Sequence, residues 1–223
     1  MRILSFWLLA TVLACGGGGV WSSGDSDRFE YTDPAETTPM EDAHGTPAID
    51  VDRVVMKSDG NAAVVVLHLK DTLANYLKVV NEGDGFMCDP AWIYFDTDDD
   101  PETGGLATAE LPGFEYEARV VSSLENGQPS TFYALDKFEQ GESSFDMLDR
   151  YSEMGHESLQ ARQREWNQSK SQITVQDSTV TIRFPYAIIG VVSGDTIRIR
   201  MREHHRGPYP AEQFFPDATL TLK

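Results

Sequence analysis

The 223-residue chain contains two cysteines, Cys15 and Cys88. A disulfide framework is therefore excluded, and stability must come from core packing. Positive charge is also scarce: 18 Lys and Arg stand against 36 Asp and Glu, giving a net charge of −18 and a pI near 4.5. Phosphate backbones and anionic lipid surfaces would be repelled by such a chain, which argues against nucleic acid as a partner and leaves cations open. No apolar run reaches the ~20 residues that a bilayer-crossing helix needs. The usual marks of catalysis are missing as well, with no Gly-x-Ser-x-Gly elbow, no His-Glu-x-x-His pair and no phosphate-cradling glycine loop. The adjacent pair His204-His205 is the best catalytic candidate, but neighbouring residues on a strand point to opposite faces and cannot both reach one ion without a bulge. His44 lies in a polar tract, and His68 alternates with Leu67 and Leu69 on a solvated or half-buried strand face.

What the chain does have begins at its N-terminus. Met1-Arg2 supplies a positive start, Ile3 to Leu13 is almost wholly apolar, and Val12-Leu13-Ala14-Cys15 closes the run. The run is too short to span a membrane, so it reads as an export signal over residues 1–14. Val-Leu-Ala-Cys resembles the bacterial lipobox, which implies cleavage before Cys15 and lipid on that residue as the membrane anchor. Gly16 stands where Asp would favour inner-membrane retention, so the resemblance places the protein in the bacterial cell envelope with the outer membrane favoured. Cys88 then has no intramolecular partner, and Asp89 beside it disfavours the thiolate. Residues 15–47 are rich in Gly, Ser, Asp, Thr, Pro and Glu. They are too poor in apolar surface to offset their ordering entropy, which predicts a flexible tether.

From residue 48 to 223 the pattern is that of strands. Residues 50–56 and 62–70 flank Lys57-Ser58-Asp59-Gly60 as a hairpin. Residues 71–80 fit a short helix with Asp71 as its cap or a linking loop. Trp92 to Phe95 is a buried strand, and residues 113–121 alternate, with Phe114, Tyr116, Ala118 and Val120 expected on one face. Residues 131–135, 173–175, 179–184, 196–203 and 218–223 complete the set, with Arg198, Arg200 and Arg202 outward to meet solvent or acidic neighbours. Residues 137–171 are polar and form an insertion with one irregular helix near 157–166, expected to cover one end of the domain. Eight or nine short strands separated by turn signals predict an all-β antiparallel sandwich with a short helical insertion.

Directly after the Trp92–Phe95 run comes Asp96-Thr97-Asp98-Asp99-Asp100-Pro101-Glu102-Thr103-Gly104-Gly105. Carboxylates at alternate positions repel one another unless they share a cation, and Ca²⁺ takes such hard oxygen donors as the backbone wraps it. An EF-hand is excluded, because the sixth and twelfth positions are Pro101 and Ala107 and a strand precedes. The expected Ca²⁺ ligands are Asp96, Asp98 and Asp100, a backbone carbonyl near Glu102, and Glu115 returning on the next strand. The ion's expected role is structural.

Phe-Asp-Thr-Asp-Asp-Asp-Pro-Glu-Thr-Gly followed by Gly-Phe-Glu-Tyr-Glu resembles the calcium loop and following strand of bacterial surface proteins with DOMON-like or family 9 carbohydrate-binding-module-like sandwiches. Thr181-Ile182-Arg183-Phe184-Pro185-Tyr186-Ala187-Ile188-Ile189-Gly190 and Gly194-Asp195-Thr196-Ile197-Arg198-Ile199 resemble their final strands. The resemblance implies a non-catalytic, lipid-anchored binding module for a glycan or an envelope partner. A haem or redox domain of the DOMON type is the alternative, and it would need axial ligands such as Met87, Met201 and His68 facing one pocket. A hydrolase is the third reading.

Overall fold

In Ala62-Ala-Val-Val-Val-Leu-His-Leu69 nearly every position is β-branched or apolar, which suits a strand buried on one face and half-covered on the other. In the computed structural model this segment is a central strand of one sheet of a two-layer antiparallel β-sandwich. The structure describes residues 20–22, 26–32, 49–83, 88–108, 111–202, 215 and 217–223.

Strands are numbered along the chain. The six-stranded sheet runs β1 (Val20–Ser22), β2 (Arg28–Thr32), β3 (Val51–Ser58), β4 (Ala62–Leu69), β11 (Thr179–Pro185), β10 (Ile173–Gln176). The five-stranded sheet runs β13 (Ala218–Thr221), β12 (Thr196–Arg202), β5 (Cys88–Asp96), β8 (Tyr116–Glu125), β9 (Gln128–Lys137). A two-stranded ribbon joins β6 (Gly105–Thr108) to β7 (Leu111–Phe114), and the helices are α1 (Leu73–Gly83), α2 (Ser144–Ser152) and α3 (His156–Ser169). Side chains at every second position fill the space between the layers. Val54 and Met56, Val65 and Leu67, Ile93 and Phe95, Ile182 and Phe184, and Ile197 and Ile199 are all inaccessible to solvent or nearly so. Phe95 and Phe184 meet across the layers edge to face, with centroids 4.8 Å apart.

Four features differ from the sequence expectation. First, the stretch expected to be tether contributes β1 and β2. β2 pairs with β3, Glu30 meets Arg53 at 3.0 Å, and Tyr31 packs edge-on to Phe215 at 5.4 Å. Only Phe29 and Tyr31 mark the alternation there, and the main-chain pairing with β3 supplies what composition lacks. Second, α1 is a helix capped by Thr72, whose Oγ1 accepts from Asn75 N at 3.2 Å. Asp71 supports the cap by accepting from Thr72 N and the Asn75 side chain. Third, residues 137–171 contain two helices, and α3 lies along β9 instead of across an end of the sandwich. Ser169 Oγ accepts from Tyr133 N at 2.9 Å, and Arg162 donates to Leu135 O at 3.3 Å while pairing with buried Asp136 at 2.6 Å. The helix thus satisfies backbone groups that an edge strand would otherwise leave exposed. Its polar composition hid this role, because the attachment is made largely by hydrogen bonds.

The residue-113–121 alternation also breaks. Glu115 interrupts it between β7 and β8, so Phe114 faces outward into a second small core with Trp92, Tyr94, Phe138 and Met147. Ala118 and Val120 face the main core, and Glu117 is buried on the outer face. Burial raises the Glu117 carboxyl above its ordinary value, opposed by the Ser144 hydroxyl that donates to it and by Arg119. Trp92 lies between the guanidiniums of Arg119 and Arg202, 4.4 and 4.0 Å from its ring centre. Among the described residues no helix is long and apolar enough to cross a membrane.

Candidate metal centre

Antiparallel pairing of β5 with β8 decides where the acidic loop sits. Phe95 is the partner of Tyr116, and Glu115 N donates to Phe95 O at 2.9 Å, so the connection that leaves at Asp96 returns beside it at Glu115. Gly104 allows the crossing to be this tight. Its φ is +63°, and a Cβ there would lie 2.3 Å from Phe114 O and 2.8 Å from Glu115 Oε1.

Within the loop the carboxylates turn back on their own backbone. Asp96 is fully buried, and its Oδ1 accepts from Asp98 N at 3.3 Å and from Asp99 N at 2.7 Å. Asp99 adopts a left-handed φ of 55° to make that turn. Asp98 is exposed, and its Oδ1 accepts from Asp100 N at 3.0 Å. Half-buried Glu115 accepts from Thr97 N at 2.6 Å through Oε2. One oxygen each of Asp96, Asp98 and Glu115 lies within 4.8 Å of the others.

Asp100 and Glu102 stand outside that trio. The Asp100 side chain accepts from Glu102 N at 2.9 Å, and the Glu102 carbonyl accepts from the Gln140 amide at 3.1 Å. Of the five expected ligands, therefore, three converge through side chains and two are engaged in holding the loop. Cys15, His44, Met87, His204 and His205 lie outside the described residues, as does the Cys88 side chain.

Two participants were not assigned to the site from the sequence. Thr103 Oγ1 sits 3.0 Å from Asp98 Oδ1, 3.1 Å from Asp98 Oδ2, 3.0 Å from Asp100 O and 3.0 Å from Glu115 Oε1. A hydroxyl has one proton, so it can donate to only one of these four acceptors at a time. The second is Arg198 on β12, whose Nε donates to Asp96 Oδ2 at 2.9 Å and whose Nη2 also donates there. Arg198 offsets one of three crowded negative charges.

The donors are all oxygen, without nitrogen or sulfur, which is the chemistry of a hard cation. The residues present could hold such an ion, because three carboxylates converge there with one arginine beside them. No family model, curated protein or solved structure gives a significant match to this chain. The site must therefore be read from its own geometry.

Among the described residues, that geometry does not bring His68 and Met201 to one pocket. His68 points away from the main core, 2.9 Å from an Arg53 nitrogen and 3.3 Å from Thr179 Oγ1, whereas Met201 is buried within that core on the opposite sheet. Burial, and then the Arg53 charge, lower the His68 pKa, so a proton is disfavoured there.

Proposed function

We propose that this chain is a non-catalytic, lipid-anchored binding protein of the bacterial cell envelope, with the outer membrane favoured, whose β-sandwich is braced by a structural Ca²⁺. The observation that supports the ion most directly is Thr103 Oγ1, a single hydroxyl surrounded by four oxygens of a loop whose three nearest carboxylates have one arginine between them. Ca²⁺ would be held by Asp96, Asp98 and Glu115. It would supply positive charge where β5 ends and β8 begins, tying two strands of one sheet. Cys15 would carry the lipid, and the sandwich would present a surface for a glycan or an envelope protein.

Calorimetric titration with Ca²⁺, paired with melting in chelator, tests the ion. Saturable heat and a melting point that falls in chelator are expected. Absence of both would reduce the loop to a hydrated turn. Radiolabelled palmitate incorporation lost in Cys15→Ser tests the anchor, and incorporation that survives the substitution would refute it.

A further inference from the structure

A cleft of about 630 Å³ opens where α3 lies against β9, walled on its far side by Pro185 and Ile188 after β11. It is within the range of small-molecule sites. Three rings line it: Tyr116 and Tyr133 from the five-stranded sheet and Trp166 from α3. Trp166 is stacked on Phe132 with centroids 5.6 Å apart, which holds its indole in a set orientation. Its Nε1–H is inaccessible to solvent and has no hydrogen-bond partner. Burial pushes the Tyr133 phenol up to about 12, so that ring stays neutral.

The cations of the cleft differ. Arg162 is held by Asp136 and Glu165. Lys137 is exposed, stands 5.8 Å from the Tyr116 ring centre, and has no ion pair among the described residues. Lys137 is thus the cation of the cleft that a ligand carboxylate could reach, a local positive charge against the net charge of −18. The remaining rim, with the amides of Gln168 and Gln172, suits hydroxyl groups.

We propose that this cleft binds a sugar ring bearing a carboxylate, a uronic acid, with the ring against Tyr116 and Trp166 and the carboxylate at Lys137. This rests on the binding-module reading above and names its ligand class. Ile188, 39 % exposed and one of the few large apolar side chains in solvent, is then the opposite wall of the cleft.

The test follows the Trp166 indole ¹⁵N–H resonance, assigned with Trp166→Phe, while the protein is titrated with methyl β-D-glucuronide and separately with methyl β-D-glucoside. A saturable shift with the glucuronide is expected, with a Kd on the order of millimolar for so small a ligand. Lys137→Gln should weaken the glucuronide about tenfold and leave the glucoside unchanged. No indole shift with either sugar, or equal affinities that Lys137→Gln leaves alone, would overturn the assignment. Because Lys137 is exposed, its substitution leaves the fold intact. The melting shift with Ca²⁺ is read on the same samples, so a failed sugar titration beside an intact Ca²⁺ response refutes only the cleft.

Discussion

Replacing Asp98 with asparagine separates a metal ligand from a turn former. The amide side chain keeps an oxygen to accept from Asp100 N, so the local turn survives while one charge leaves the trio. Two unit charges at 4.8 Å, the limit within which the three oxygens lie, repel by roughly 3.5 kcal/mol at an effective dielectric near 20. Arg198 offsets one charge, and the exposure of Asp98 screens what remains, which leaves about 1 kcal/mol of relief. In chelator, Asp98→Asn should therefore melt about 2–4 °C above the wild type. With Ca²⁺ at a hundred times Kd the wild type gains about 2.7 kcal/mol, or roughly 5–11 °C. The variant, with its affinity reduced tenfold or more, loses at least about 1.4 kcal/mol of that gain. The order of stability should thus invert between the two buffers. Differential scanning calorimetry in chelator and in Ca²⁺ reads this directly. A variant less stable than wild type by the same amount in both buffers would show that Asp98 only shapes the turn and would refute the metal argument.

Other outcomes follow from the same contacts. Arg198→Met strips the partner from a fully buried Asp96 and should cost about 3 kcal/mol in chelator by denaturant melt; Ca²⁺ should recover part of that loss, and equal loss in both buffers would contradict the shared-charge picture. Gly104→Ala combines a φ of +63° with a Cβ 2.3 Å from Phe114 O, so it should cost about 1–3 kcal/mol and blunt the Ca²⁺ heat. A wild-type-like melt and Ca²⁺ heat would show that the crossing tolerates a side chain. His68 has a lowered pKa, so in the window below 6.5 the unfolded chain binds the extra proton and stability falls as pH drops towards the folded value. His68→Gln should flatten that part of the melting curve between about pH 7 and 5; an unchanged slope would assign the dependence to other groups.

Much of the strand pattern was legible because it is local. The hairpin of β3 and β4 and the strands at 173–175 and 179–184 follow from period-two alternation and from turn residues whose backbone preferences are strong. The nearness of Glu115 to the acidic loop is legible for a related reason: a strand that pairs back antiparallel must bring its first residue near the end of its neighbour. β2 escaped notice because two aromatic residues in a polar tract are a weak signal, and its stability comes from a partner strand that composition does not reveal. α3 was legible as an irregular helix near 157–166, but its place along β9 was not, since a helix fastened by Ser169, Arg162 and a single stacked indole shows little apolar periodicity.

The order of residues by itself determined which segments extend, where they turn and where carboxylates crowd, because each of these depends on neighbours a few positions away. It did not determine that Arg198, more than a hundred positions downstream, neutralises Asp96, that Thr103 lies among four oxygens, or that Lys137 and Trp166 face one cleft. Those are distances between strands and helices remote in the chain, set by how two sheets pack and which edges are covered, and so they exist only once the sandwich has closed.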